Sequence, residues 1–142
     1  MTPHPLIARL TQVLGLPGLD AANLEAFLEA PGDGVIFCGG DPVQHPECLD
    51  VAVVLPELLR AFPGRLRAGI AGRELEPALQ ARYGLSRWPS LIFVRAGDYV
   101  GTLPGILDWS VYLTRVQGLL AGPTCRPPSI GIAVGAPAST CH

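Results

Sequence analysis

Hydrophobic positions along the chain change period several times, and each change marks an element. In residues 5–14, Leu6, Leu10 and the pair Val13 and Leu14 fall on one side of a short helix, which Gly15, Pro17 and Gly18 break. Asp20 is placed to cap a second helix over "AANLEAFLEA", where Leu24, Phe27 and Leu28 recur at helical spacing until "PGDG" ends the run. "VIFC" is a short β-rich apolar run bounded by glycines, the pattern of a buried central strand. Residues 48–62 carry two signals at once. "VAVVL" alone would pass as a strand, yet Val51, Leu55, Leu58 and Phe62 fall on one helical face. The longer period predicts a helix, kinked where Pro56 cannot bond the Ala52 carbonyl.

"LRAGIA" then reads as a strand and "ELEPALQARYG" as a helix closed by Gly84. "SLIFVR", "AGD" and "YVGTL" read as strand, tight turn and strand, a hairpin by its turn chemistry. Asp108 caps a last helix with Trp109, Leu113, Val116 and Leu120 in one stripe, stopped by Gly122 and Pro123. Helices alternating with strands before a terminal hairpin and helix predict an α/β fold, a mixed central sheet with helices on both faces. One domain is expected over residues 1–120. Residues 121–142 hold no carboxylate, a single Arg126, and prolines at 123, 127, 128 and 137, so a mostly disordered tail is expected there. Its "IGIAV" is apolar enough to dock as an added strand.

Composition adds limits. At 142 residues, 49% hydrophobic and 15% charged, one well-buried core is expected. No run reaches the roughly 20 apolar residues of a bilayer span, and "MTPHPLIARL" lacks the features of a secretory signal. The expected location is the cytoplasm, where Cys38, Cys48, Cys125 and Cys141 read as free thiols. His45 and Cys48 give two metal ligands, too few for a zinc site, and the tail set Cys125, Cys141 and His142 requires the tail to fold back. "GGDPVQHPE" lacks the lysine of a phosphate-binding loop. No metal and no cofactor are therefore expected.

The net charge is only −2, but it is segregated. Between Arg9 and Arg60 lie eight carboxylates and no basic residue; from Arg60 to Arg95 seven arginines face only Glu74 and Glu76. The acids are either solvated helix faces or an acidic surface suited to a basic peptide. Nucleic acid is excluded, because no basic stripe with interleaved aromatics exists.

"YGLSRWPSLIFVRAG" resembles the thioredoxin segment in which Tyr-Gly precedes a cis-proline, an apolar strand and a Lys/Arg-x-Gly turn; Tyr83, Gly84, Pro89, Arg95 and Gly97 fall in register. The resemblance implies a thioredoxin-like fold with Pro89 as the cis-proline facing the active-site loop. It also equates Pro56 with the thioredoxin kink proline. Counting back, Cys48 takes the place of the first redox cysteine and Val51 that of the second, leaving a vestigial redox position. A closer resemblance, over residues 24–120, is to the HyaE/HupG/HoxO family of [NiFe]-hydrogenase maturation proteins, which lack the cysteine pair. The motifs are "GGDPVQHPECLDVAVVLPELLRAF", "RWPSLIFVRAGDYVG" and "DWSVY", with Asp41-Pro42, Pro46-Glu47, Pro56, Arg95 and Asp108-Trp109 as matching positions.

That family implies a non-enzymatic chaperone that binds the hydrogenase small-subunit precursor, chiefly its twin-arginine signal peptide, with other maturation proteins as further candidate partners. Such a peptide pairs guanidinium groups with an apolar run, so its receptor needs carboxylates beside apolar surface. Asp41, Glu47, Asp50 and Glu57, with Leu49, Trp88 and Pro89, are the candidates for that role. Docking on the side of the arginines is the alternative placement. Two other functions stay open: a monothiol oxidoreductase using Cys48, or a scaffold bridging other factors. A helix N-terminus favours the Cys48 thiolate, while Glu47 and Asp50 oppose it.

Overall fold

The computed structural model describes residues 4–128. A five-stranded sheet in the order β1-β3-β2-β4-β5 forms its middle layer. The strands are β1 (Gly18–Leu19), β2 (Asp33–Cys38), β3 (Leu66–Ala71), β4 (Ser90–Arg95) and β5 (Asp98–Pro104). β1, β3 and β2 run parallel, whereas β4 is antiparallel to both β2 and β5. The helices are α1 (Pro5–Gln12), α2 (Leu24–Glu29), α3 (Glu47–Ala61), α4 (Glu76–Tyr83) and α5 (Trp109–Ala121).

Strand alternation divides the core in two. Val35, Phe37, Leu91 and Phe93 point to one face, where Leu10 of α1, Leu55 of α3 and Tyr112 of α5 cover them. Ile36, Cys38, Ile92 and Val94 point to the other, under Leu28 of α2 and Leu79 of α4. The two central strands are thus buried on both sides, which is why they read as unbroken apolar runs. Each such side chain contributes roughly 1.5–3 kcal/mol on burial.

In α3 the helical period prevails over local β propensity. Cys48, Val51, Ala52, Leu55 and Leu58 are buried along it, and the helix runs on through Pro56. Burial of that face offsets the hydrogen bond the proline removes. Gly84 closes α4 in the left-handed conformation at φ 66°, its N–H donating to the Gln80 carbonyl.

Several local expectations are corrected. The two-residue β1 was not anticipated, because its glycine-rich surroundings look like a helix break alone. Asp20 does not cap α2; its carboxylate accepts the N–H groups of Ala22 and Asn23 in a preceding turn. Asp108 occupies the N-cap of α5 without a side-chain bond, and Trp109 is 43% exposed, so the buried stripe of α5 is Tyr112, Val116 and Leu120. Cys38 and Cys48 are free thiols as expected, whereas Cys125 is disulfide-bonded. At the start of the tail the Cys125 N–H donates to the Tyr99 carbonyl at 2.8 Å, a bridge onto β5. "IGIAV", Cys141 and His142 lie outside the described residues.

At the end of the sheet where β2 and β3 begin, arginines cap helices. Arg95 pairs with Asp33 at 2.5 Å and donates to the carbonyls of Leu119, Leu120 and Gly122 at the end of α5. Arg67 donates to the carbonyls of Phe27, Ala30, Pro31 and Gly32 around the end of α2. Cations there complement the negative end of each helix dipole.

Candidate functional site

The opposite end of the sheet, where β2 leaves the core and β4 enters it, carries most of the motif residues. After Cys38 the chain passes through Gly39 and Gly40, both buried, before the Asp41–Pro42 loop and the start of α3. Gly40 has φ +76°, and a Cβ there would stand 3.0 Å from Trp88 Cβ and 3.2 Å from His45 Cδ2. Only glycine lets the loop pass that close. The Trp88–Pro89 peptide is cis, as the resemblance implies. The Pro89 carbonyl accepts the Gly105 N–H at 2.7 Å, which ties this loop to the end of β5. Among the described residues the Trp88 backbone makes no hydrogen bond.

The carboxylates differ in their surroundings. Asp41 accepts the Val43 N–H at 2.9 Å and shapes its own loop. Glu47 and Asp50 occupy the first turn of α3, are exposed, and have no cationic partner among the described residues. Their position favours the helix, since anions complement an N-terminus. Glu57 is set apart: it lies roughly 15 Å further along the helix and pairs with Arg60. Gly40 meets Trp88 beside Pro89, and Asp41, Pro42, Pro46, Glu47 and Asp50 lie in the loop and first helical turn that follow Gly40. Arg95 is at the far end of the sheet.

Glu76 was missed by sequence reasoning. It is only 5% exposed, although it opens a helix in a segment whose acidic and proline residues read as an ordinary first turn. Its carboxylate accepts the Gly40 N–H at 2.9 Å and the Arg73 Nε–H at 2.8 Å. Burial raises its pKa, against the lowering effect of those two bonds. Glu76 therefore fixes the loop that meets Trp88 and His45.

Cys48 is fully buried beside this loop; a Cβ on Gly39 would lie 3.5 Å from its own Cβ. Burial raises its pKa, and the charges of Glu76, Glu47 and Asp41 add to the rise, outweighing Arg73. The thiolate is disfavoured despite the helix N-terminus. Val51, in the vestigial second position, is buried in the core. No group of three or more ligating side chains able to hold a metal occurs among the described residues, and no helix there is long and apolar enough to cross a membrane.

This arrangement can accept hydrogen bonds from a cation and offers backbone to an extended chain, and its thiol is shielded. Comparison with known proteins points to one family. Residues 6–112 match the model of hydrogenase-1 expression protein HyaE. The chain is 46% identical to the hydrogenase expression/formation protein HoxO of Cupriavidus necator, covering 97% of this chain and 88% of that one. It is 49% identical to HoxO of Azotobacter vinelandii over 91% and 86% of the two chains. HupG of Bradyrhizobium diazoefficiens is 42% identical, with 84% of each chain covered. Among solved structures, a HupG hydrogenase expression/formation protein from Rhodopseudomonas palustris aligns with a TM-score of 0.53 at 42% identity, covering 74% of this chain and 95% of that one.

Proposed function

The chain belongs to the HyaE family of hydrogenase expression proteins, and from that membership we propose that it is a cytoplasmic chaperone that binds the [NiFe]-hydrogenase small-subunit precursor through its twin-arginine signal peptide. One observation carries the reading: exposed carboxylates with no cationic partner among the described residues follow the Gly40 loop that packs against Trp88, whose backbone, next to the cis-proline, makes no hydrogen bond among those residues. Guanidinium groups are matched by carboxylates that accept paired hydrogen bonds. An extended peptide is matched by free backbone groups, as in strand addition. Asp41, Glu47 and Asp50 supply the first; Trp88, next to Pro89, supplies the second. The scaffold is thioredoxin-like in this reading and kept for binding, with Cys48 buried and Val51 where a resolving thiol would be. Other hydrogenase maturation proteins are its further partners.

Calorimetric titration with a small-subunit signal peptide, beside a twin-lysine version, tests this. Binding that prefers arginine and weakens with salt supports it. Equal binding of both peptides, or none, removes it.

A further inference from the structure

A cavity of about 680 Å³ opens beside the same loop, between α1 and the carboxyl ends of β1, β3 and β2. Its size lies within the range of roughly 300–1,000 Å³ typical of ligand sites, and in open α/β sheets ligands commonly bind at those strand ends. Ile7 and Ala8 of α1 line it, together with the largely buried Leu19, Phe37 and Ile70. Gly39 and Gly40, held by Glu76, border it on the side of the carboxylate face.

Charge narrows the occupant. Among the described residues lining the cavity, the charged side chains are three carboxylates (Asp20, Glu74 and Glu76) and one arginine, Arg73. Arg73 is already paired with Glu76. The helix N-termini at this end are each equivalent to only about half a positive charge, so an anion is disfavoured. The match is an apolar group attached to a cationic one.

We propose that this cavity receives large apolar side chains of a client peptide whose adjacent arginines lie on the carboxylates beside it. The proposal rests on the peptide-binding reading above and extends it: the loop from Gly39 to Pro42 is shared, so one extended peptide spans both surfaces. The acidic face then reads the arginines and the cavity reads the apolar residues that follow. A second copy of this chain is the alternative occupant, and the test below separates it from a peptide.

The test fills the cavity from α1, at half-buried positions outside the sheet. Ala8→Trp and, separately, Thr11→Phe are titrated with an arginine-pair signal peptide and with a version whose apolar residues are serine. Thermal melting first checks that each variant is folded. The expected result is at least about tenfold weaker binding of the natural peptide by the folded filled variants, with almost no further loss when the serine peptide is used. Unchanged affinity in both filled variants would overturn the cavity proposal while leaving peptide capture intact. So would equal weakening of the two peptides, since the filled space would then not be where the apolar residues sit. If the unmodified protein binds neither peptide, the capture reading fails and the cavity proposal fails with it. A filled variant that remains monomeric and loses the peptide excludes self-association as the cause; a monomer–dimer shift caused by filling overturns the proposal.

Discussion

The two ends of the sheet treat charge in opposite ways. Where β2 and β3 begin, Arg67 and Arg95 reach carbonyls at the ends of α2 and α5, and Arg95 also meets Asp33. Where β2 ends, Glu47 and Asp50 are exposed with no cationic partner among the described residues, and the buried carboxylate, Glu76, serves to hold a loop. Arg67 and Arg95, two of the seven arginines from residue 60 to residue 95, therefore act as internal support. Arg82 follows the same pattern, bridging to Glu25 at 2.8 Å. A run of like charge in sequence does not reveal this difference. What decides it is whether helix ends or partners of opposite charge lie within reach.

The largest effect is expected at the supporting end. Arg95→Ala removes several charge-assisted bonds and leaves Asp33 partly buried without its partner. A loss of about 3 kcal/mol is expected, read as a fall in denaturant midpoint with binding of the folded fraction preserved. A loss below about 0.5 kcal/mol, the range of ordinary surface changes, would break the contrast between the ends.

Glu76 sharpens the comparison from the other side. Glu76→Ala strands the buried Gly40 N–H, at a cost of about 1–3 kcal/mol, and should also loosen the loop beside Trp88. Its pH behaviour has a definite sign. Burial raises the folded-state pKa above the ordinary carboxylate value, so the folded protein holds that proton more tightly than the unfolded chain. The associated stability is fully present below the unfolded pKa and is lost as pH rises through the folded one. Wild type should therefore lose stability relative to Glu76→Gln as pH rises from the ordinary carboxylate range towards neutrality. A constant difference across that window would contradict the assigned burial effect. Comparing the two proteins cancels the opposite contribution of Glu25, whose bond to Arg82 lowers its pKa.

Much of the scaffold is legible in the chain because its signals are repeated across many residues. The double-faced strands, the α3 face and the Gly84 stop each rest on several positions that agree. Trp88–Pro89 is different: the proline permits a cis peptide, but only the family resemblance selected it. β1 was hidden because two residues carry no period. Glu76 was hidden because burial of an acid depends on Gly40, which is distant in sequence, and no local pattern encodes that pairing. Trp109 misled for the reverse reason: a large apolar residue at helical spacing looks like core, yet it lies at the exposed start of α5.

At the open end, replacing Glu47 with Gln and Asp50 with Asn together should weaken a twin-arginine peptide about tenfold, the sum of two exposed pairs of up to about 1 kcal/mol each. Folding should lose less than about 1 kcal/mol, the share owed to the α3 N-terminus. A large fall in stability with unchanged peptide affinity would make these carboxylates supports like the arginines, and the contrast would collapse.

Cys48 provides the smallest expected change and the sharpest test of what this end is for. Its thiol is fully buried and kept protonated by burial and by the charges around it. Cys48→Ala removes one sulfur from the core, so a stability loss of about 1 kcal/mol is expected, with peptide affinity and hydrogenase maturation unchanged. In the native protein, alkylation at Cys48 should be slow until denaturant exposes it, as located by mass spectrometry. Rapid native labelling, or a folded Cys48→Ala protein that binds peptide but fails in maturation, would instead assign this end a thiol step. The carboxylates and the cis-proline loop would then be serving electron transfer at Cys48, because a group needed only for packing has no means of separating binding from maturation.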